Sequence, residues 1–266
     1  MNSSHPGRGV AVEGCLRERL GSGRKALVTY MTGGLGADWV RYVEAMADAG
    51  ADVVEIGVPF SDPVMDGPTI QEASGAALAA GSNPSNILDG IAGANIGVPL
   101  VAMTYYNLVV RAGHLRFARQ LASCGVRGAI VADIPLEESA DWEAQAAGSG
   151  VETILLAAPV SSDERLAEIC RRSHGFVYGV NVMGVTGERA SLSESAGALA
   201  KRLKAITDLP VIMGFGVSTP EQAAEVASYS DGAVVASALM RMVLDGAGPG
   251  EVADAVSKFR RALDRA

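Results

Sequence analysis

The sequence predicts an α/β fold, an eight-stranded parallel β/α barrel of the TIM type. Short apolar runs recur eight times along the chain, and segments with helical spacing lie between them. Each return to a parallel neighbour needs a crossover helix, so this alternation over about 250 residues is typical of a closed barrel. The alternative is an open doubly wound sheet, but no Gly-x-Gly-x-x-Gly motif follows the first run. The predicted strands are 26–31, 53–56, 98–103, 128–132, 153–157, 175–180, 210–213 and 232–236.

The segments between these runs carry the start and stop signals of helices. Ser162 and Thr219 have side-chain oxygens that can cap free N–H groups, and Pro220 fits a first helical turn. Gly50 and Gly125 fall just after helical segments, where glycine commonly ends a helix. The predicted helices are 39–47, 84–94, 115–123, 139–147, 163–172, 193–205, 220–227 and 239–244, and another begins near residue 69.

The composition limits the classes of protein to which the chain can belong. It has 266 residues, 48% of them hydrophobic, and a formal net charge of -8. An acidic chain without a long basic run is a poor binder of nucleic acid, and no apolar stretch is long enough to cross a membrane. The three cysteines are scattered, as expected of reduced thiols in a cytoplasmic protein. We expect a disordered N-terminal tail over residues 1–12 and a single barrel domain over residues 13–266.

A carboxylate interrupts the second apolar run. Glu55 lies within the run 53–56, and prolines and glycines then prevent regular structure until residue 69. Catalytic groups of β/α barrels collect at the carboxyl ends of the strands, and an apolar frame raises the pKa of a carboxyl group. Glu55 is therefore a candidate acid or base. The alternative is a solvated strand end.

Two segments after the last predicted strands indicate a phosphate site. Gly214-Phe215-Gly216 follows the seventh strand, and Ser237 follows the eighth, where it would cap a short helix and donate its hydroxyl proton. Glycines let the backbone approach an anion, and the N-terminus of a helix attracts negative charge. The alternative is that these glycines only form turns. The glycines of segment 184–187 favour a mobile lid, with a plain surface loop as the alternative.

Two common kinds of carbon-carbon lyase site are excluded by the positions of lysine and histidine. A Schiff base needs a lysine at a strand end, and a metal site needs clustered ligands. The lysines are Lys25, Lys201, Lys204 and Lys258, and the histidines are His5, His114 and His174. None of the lysines follows a predicted strand, and the histidines are scattered. We therefore expect no metal, and carboxylates are the best candidates for acid-base chemistry.

The chain resembles the alpha-subunit family of tryptophan synthase. The motifs that carry the resemblance extend over nearly the whole chain after the tail: Glu55-Ile-Gly-Val-Pro-Phe-Ser-Asp-Pro-Val-Met-Asp66-Gly-Pro-Thr-Ile-Gln71, Tyr105-Tyr106-Asn107, the segment 131–139, Gly184-Val-Thr-Gly187 and the segment 214–218. The resemblance implies a barrel that cleaves indole-3-glycerol phosphate to indole and glyceraldehyde 3-phosphate. It also implies no cofactor on this chain. The implied partner is a beta subunit that carries pyridoxal phosphate and receives indole through a tunnel, and the two kinds of subunit would form an α2β2 complex.

The resemblance assigns roles to three candidate catalytic residues. Glu55 matches the glutamate that moves protons between the indole C3 and the glycerol hydroxyl. Asp66 matches the aspartate that accepts the indole N–H and stabilises the positive charge that develops on the ring. Tyr178 matches a tyrosine near the glutamate, although a buried structural tyrosine is the alternative.

The other matched positions concern the substrate, the lid and the partner. Phosphate would be bound by Gly187, Phe215, Gly216, Ala236 and Ser237, whereas Tyr30, Ile70 and Met103 would line the indole pocket. Thr186 matches the lid threonine that meets the aspartate when the loop closes. Asp62, Asn107 and Pro135 match loops that face the beta subunit, although Asp62 could simply form a turn.

Two departures from the family pattern leave alternatives open. The first loop, residues 32–36, lacks the usual acidic or tyrosine residue followed by proline, so this loop is expected to be shorter or looser. Ala236 stands where the family has a glycine beside the phosphate. Its extra methyl group makes the affinity for phosphate the property that this departure would change. The alternatives are a free-standing indole-releasing lyase, or a catalytically weak subunit that activates its partner. Intact Glu55 and Asp66 argue against the second.

Overall fold

The strands of the chain form one parallel sheet. The computed structural model describes residues 10–180 and 189–266. Its strands are β1 (Ala26–Thr32), β2 (Val53–Gly57), β3 (Leu100–Thr104), β4 (Val126–Val131), β5 (Glu152–Thr153), β6 (Leu155–Ala157), β7 (Val177–Val180), β8 (Val211–Gly214) and β9 (Gly232–Val235). They pair in the order β5-β4-β3-β2-β1-β9-β8-β7-β6, and every pair is parallel. All eight predicted runs contain strand structure, and the predicted barrel is confirmed.

The fifth predicted run is divided into two short strands, which accounts for nine segments instead of eight. β5 pairs with β4 and β6 pairs with β7, and only Ile154 separates them. The Ile154 N–H donates to the carbonyl of Ala129 in β4 (3.0 Å), and the Thr153 carbonyl accepts from His174, just before β7 (2.8 Å). The run therefore bridges the two ends of the sheet and completes the ring.

Helices alternate with the strands. They are α1 (Val12–Gly21), α2 (Trp39–Asp48), α3 (Pro68–Ala79), α4 (Pro84–Ala92), α5 (Tyr106–Ala112), α6 (His114–Ser123), α7 (Ala140–Gly148), α8 (Asp163–Arg172), α9 (Arg189–Lys204), α10 (Pro220–Tyr229), α11 (Ser237–Leu244) and α12 (Pro249–Leu263). The predicted caps are confirmed, since Ser162 accepts from the N–H of Arg165 and Thr219 from that of Gln222. No helix within the described ranges is both long and apolar enough to cross a membrane.

Helix α1 covers the amino-terminal end of the barrel. Val12 and Leu16 are fully buried and pack with inward-facing strand residues such as Val53 and Val101. The Glu152 carboxylate accepts from the N–H groups of Val12 (2.5 Å) and Glu13 (3.2 Å), which have no helical partner at the start of a helix. The predicted tail included Val12, and at that residue the prediction is wrong because Val12 supplies apolar surface that the barrel buries.

A buried ion pair fixes the beginning of β2. The carboxylate of Asp52 accepts from the backbone N–H of Leu27 (2.8 Å) and from Arg260 of α12 (2.9 Å), and it also pairs with Arg19 of α1. These contacts join α1, β1 and α12 at the residue that precedes β2. The strand that carries Glu55 is thereby anchored three residues before that side chain.

Candidate active site

A cavity of about 690 Å³ opens at the carboxyl ends of the strands. It brings together the predicted catalytic and substrate-binding residues that the structure describes: Tyr30, Glu55, Asp66, Ile70, Met103, Tyr178, Phe215, Gly216, Ala236 and Ser237. Thr186 and Gly187 lie outside the described residues. Asp62, Asn107 and Pro135 are exposed and do not line the cavity.

Glu55 reaches the cavity from inside the barrel. Val53 and Glu55 lie two residues apart on β2 and therefore face the same side of the sheet, which for Val53 is the inner core. Glu55 is 1% exposed, and neither carboxyl oxygen has a hydrogen-bond partner among the described residues. Burial raises the pKa of Glu55 from its ordinary value of 4.5 to about 8. At neutral pH Glu55 is therefore mainly protonated and can donate a proton.

Asp66 enters the cavity from the loop after β2. Its N–H donates to the Pro63 carbonyl (3.0 Å), and its own carbonyl accepts from Gln71 of α3 (2.9 Å), so the backbone is held on both sides. Burial raises the pKa of Asp66 to about 6, and a smaller opposing effect of the Tyr105 hydroxyl lowers it. Asp66 is therefore mainly ionised at neutral pH. Two carboxyl groups with opposite protonation states are suited to different roles in acid-base chemistry.

Two tyrosines lie against glycines at the strand ends. A Cβ added at Gly57 would lie 1.8 Å from the Tyr30 hydroxyl oxygen, and one at Gly214 would lie 2.7 Å from the Tyr178 hydroxyl oxygen. Only glycine leaves room for these rings. Burial raises the pKa of Tyr178 well above its usual value, with a further contribution from the charge of Glu55. Tyr178 therefore remains protonated at the wall of the cavity.

The part of the cavity lined by the residues after β8 and β9 is suited to an anion. Gly216 has a φ of 70°, a conformation that favours glycine, in the loop after β8. Helix α11 begins at Ser237, and its N-cap residue is Ala236, so the prediction that Ser237 caps the helix is wrong by one position. Only one residue separates β9 from α11, which places the first helical N–H groups beside the cavity. Those groups lack helical acceptors and can bind an anion.

The sequence predicts phosphate at this place, and replacement of Ala236 by glycine is expected to tighten that binding. The backbone at Ala236 has a φ of -116°, which any residue adopts, so the methyl group costs no backbone strain. Its expected effect is steric, because it stands beside the N–H groups of α11. The dissociation constant of glycerol phosphate, measured by calorimetry, should fall about two- to fivefold, a change of less than about 1 kcal/mol. An unchanged constant would mean that the methyl group is already accommodated.

The chain shares its sequence pattern with a known family along most of its length. A sequence model of the family described as tryptophan synthase alpha chain matches residues 16–265. The chain belongs to the tryptophan synthase alpha chain family. The alpha chain of Streptomyces avermitilis is 43% identical over 242 residues, covering 90% of this chain and 87% of the relative. That of Geobacter sulfurreducens is 42% identical over 260 residues, covering 95% and 98%. The resemblance inferred from the motifs is confirmed.

Solved structures of the family have the same fold. A chain in a crystal structure of tryptophan synthase from Mycobacterium tuberculosis superposes with a TM-score of 0.88 at 37% identity. The superposition covers 95% of this chain and 98% of that chain. The barrel described above is therefore the fold of tryptophan synthase alpha chains.

Several residues of this alpha-chain cavity were missed by the sequence analysis. Leu156 and Val180 line it from β6 and β7, and the alternation of inward-facing residues could have identified both. Ala196 and Gln222 line it from α9 and α10, and a search of strand ends gives no signal for helix residues. Outside the lining, the Tyr105 hydroxyl accepts from the N–H of Met65, the residue before Asp66, and only the folded structure reveals that contact (3.1 Å).

Proposed function

We propose that this alpha chain cleaves indole-3-glycerol phosphate to indole and glyceraldehyde 3-phosphate. The observation that carries the proposal is the pairing of a protonated Glu55 with an ionised Asp66 in one cavity. The backbone N–H groups of the segments after β8 and β9, which line the same cavity, suit the phosphate of this substrate. The apolar side chains of Tyr30, Ile70 and Met103 provide a wall for its indole ring.

The proposed reaction is a retro-aldol cleavage in which the substrate itself takes up electrons. Glu55 donates its proton to the indole C3, and the ring becomes positively charged. The Asp66 carboxylate accepts a hydrogen bond from the indole N–H and stabilises this charge. The Glu55 carboxylate then removes the proton of the adjacent glycerol hydroxyl. The aldehyde forms, the carbon-carbon bond breaks, and its electrons restore the aromatic indole.

The low dielectric of the cavity supports both proton transfers. A buried Glu55 with a pKa of about 8 binds a proton tightly enough to hold it at neutral pH and still releases it to a reacting carbon. Tyr178 lines the same cavity, and its buried hydroxyl stays neutral. The side chain would help to exclude water from Glu55.

The test of this function is direct measurement of both products. The purified chain is incubated with indole-3-glycerol phosphate, alone and with a tryptophan synthase beta chain, and indole and aldehyde are quantified. Equal amounts of the two products are expected. Absence of both products with the beta chain as well as without it would overturn the proposal.

An exposed apolar surface at the cavity end of the barrel supports docking of a beta chain, which we expect to carry pyridoxal phosphate and to form an α2β2 complex. Val64 follows β2 and is 72% exposed, and Val160 follows β6 and is 81% exposed. The predicted partner residues Asp62, Asn107 and Pro135 are exposed on the loops or helix after β2, β3 and β4. These residues share the end of the barrel from which indole would leave.

Replacement of Val160 by aspartate is expected to weaken beta-chain binding about tenfold or more, because the charge would be desolvated in an apolar contact. Titration calorimetry with the beta chain measures the effect. Ile206→Asp is the matched control, since Ile206 is an exposed apolar residue that precedes β8 and therefore lies at the opposite end of the barrel. Equal weakening by both variants, or by neither, would contradict this surface.

The same measurements separate the two alternatives. A free-standing lyase would release indole at full rate without the beta chain. A subunit kept mainly to activate its partner would release almost none with it, while still raising the rate of the beta chain. We favour the enzymatic subunit because Glu55 and Asp66 are both present and buried.

A further inference from the structure

Tyr105 lies between the loops after β2 and β4, at the carboxyl ends of the strands. It is the residue before α5, on the connection from β3, and it is 3% exposed. The next N–H along the chain, that of Tyr106, donates to the carboxylate of Asp133 after β4 (2.6 Å). The backbone at Tyr105 is thus tied to the neighbouring loop, and its side chain extends in the other direction, toward the loop after β2.

The side chain of Tyr105 contacts that loop at two points. Its hydroxyl oxygen accepts from the backbone N–H of Met65 (3.1 Å), the residue before Asp66. Its ring stacks on Phe60, with 5.1 Å between ring centroids and 25° between ring planes. The start and the end of the loop that carries Asp66 are therefore both packed against one tyrosine.

The hydroxyl proton of Tyr105 remains available for Asp66. Because the oxygen already accepts from Met65, its own proton is free to be donated, and the carboxylate of Asp66, the next residue along the loop, is the acceptor that we assign to it. Burial, and secondarily the charge of Asp66, raise the pKa of Tyr105 well above its usual value, so the hydroxyl keeps this proton. A hydrogen bond of this kind favours the ionised carboxylate.

We propose that Tyr105 is a positioning residue for Asp66, which it orients toward the cavity and supplies with a hydrogen bond. The inference rests on the proposed function, in which Asp66 must be an ordered carboxylate when it meets the indole N–H. Without the hydroxyl, the carboxylate would lose a fixed donor and would bind a proton at higher pH.

The experiment compares Tyr105→Phe with Tyr42→Phe. The first variant keeps the ring that stacks on Phe60 and removes only the hydroxyl. The second is a matched control, since the hydroxyl of Tyr42 donates to the Ala247 carbonyl (2.9 Å) and does not line the cavity. For each variant with the beta chain, kcat and KM for indole release are measured across pH. The Asp66 pKa is measured separately on the chain without substrate, by carbon-13 NMR titration, with Asp66→Asn to assign the signal.

In Tyr105→Phe, the acidic limb of kcat/KM and the NMR titration of Asp66 should both move upward by about one pH unit. Below neutral pH, kcat should fall more than KM rises, and Tyr42→Phe should behave as the parent. An equal loss of activity at every pH, with the Asp66 titration unmoved, would overturn the inference. Because the NMR titration needs no turnover, it tests Tyr105 even if the parent releases no indole and the proposed function fails.

Discussion

Replacement of Glu55 by glutamine is expected to lower kcat for indole release about 100- to 10,000-fold, the range typical of losing a general acid or base. Glutamine keeps the size and shape of the side chain, so substrate binding should change little. It cannot donate a proton to the indole C3 or take one from the glycerol hydroxyl. Kinetics of indole release and calorimetry with the substrate measure the two effects. Glu72→Gln is the matched control, because Glu72 is an exposed glutamate on α3 paired with Arg241.

The same substitution has an expected signature in stability. The pKa of Glu55 is about 8 in the fold and would return to about 4.5 on unfolding. The folded chain therefore binds the extra proton between these values, and stability is lost as pH rises from about 4.5 through about 8. Glu55→Gln should raise the melting temperature above that of the parent at high pH and much less at low pH. Near-normal turnover, or a melting difference independent of pH, would contradict a buried acid at this position.

The sequence predicted Glu55 well because one local pattern gives both its position and its environment. The alternation of inward-facing residues along a strand can be detected in a few consecutive residues of sequence. An inward-facing carboxylate near the carboxyl end of such a strand is expected to face the cavity. The sequence placed Gly216 and Ser237 at the cavity for the same reason, since each lies two residues after the end of a strand, β8 or β9, and phosphate binding there remains a prediction. The one-residue error in the cap at Ala236 reflects how short that connection is.

The sequence could not predict features that depend on neighbours distant in the chain. Tyr105 and Asp66 are separated by 39 positions, and the loops that carry them meet only because β2 pairs with β3 in the folded sheet. The interruption at Ile154 likewise depends on hydrogen bonds to both β4 and the segment before β7. Helix α5 escaped prediction because its seven residues are too few to show a clear helical period. The roles assigned to Thr186 and Gly187 remain predictions.

Replacement of Asp66 by asparagine is expected to lower kcat about 100- to 1,000-fold, with a much smaller change in KM. An amide oxygen can still accept a hydrogen bond from the indole N–H, so the ground-state complex keeps that contact. The lost negative charge matters chiefly when the ring becomes positive, and that charge exists in the transition state and not in the substrate. Asp89→Asn, at an exposed carboxylate on α4, is the control for loss of one charge from the chain.

The pH dependence of this variant separates the charge of Asp66 from its other contacts. In the parent, kcat/KM should be bell-shaped: it rises as Asp66 ionises near pH 6 and falls as Glu55 loses its proton near pH 8. Asparagine does not titrate, so Asp66→Asn should lose the acidic limb and keep the basic one. If the acidic limb persists in the variant, another group produces it. If binding falls as much as turnover, Asp66 acts on the substrate and not on the charge that develops during cleavage.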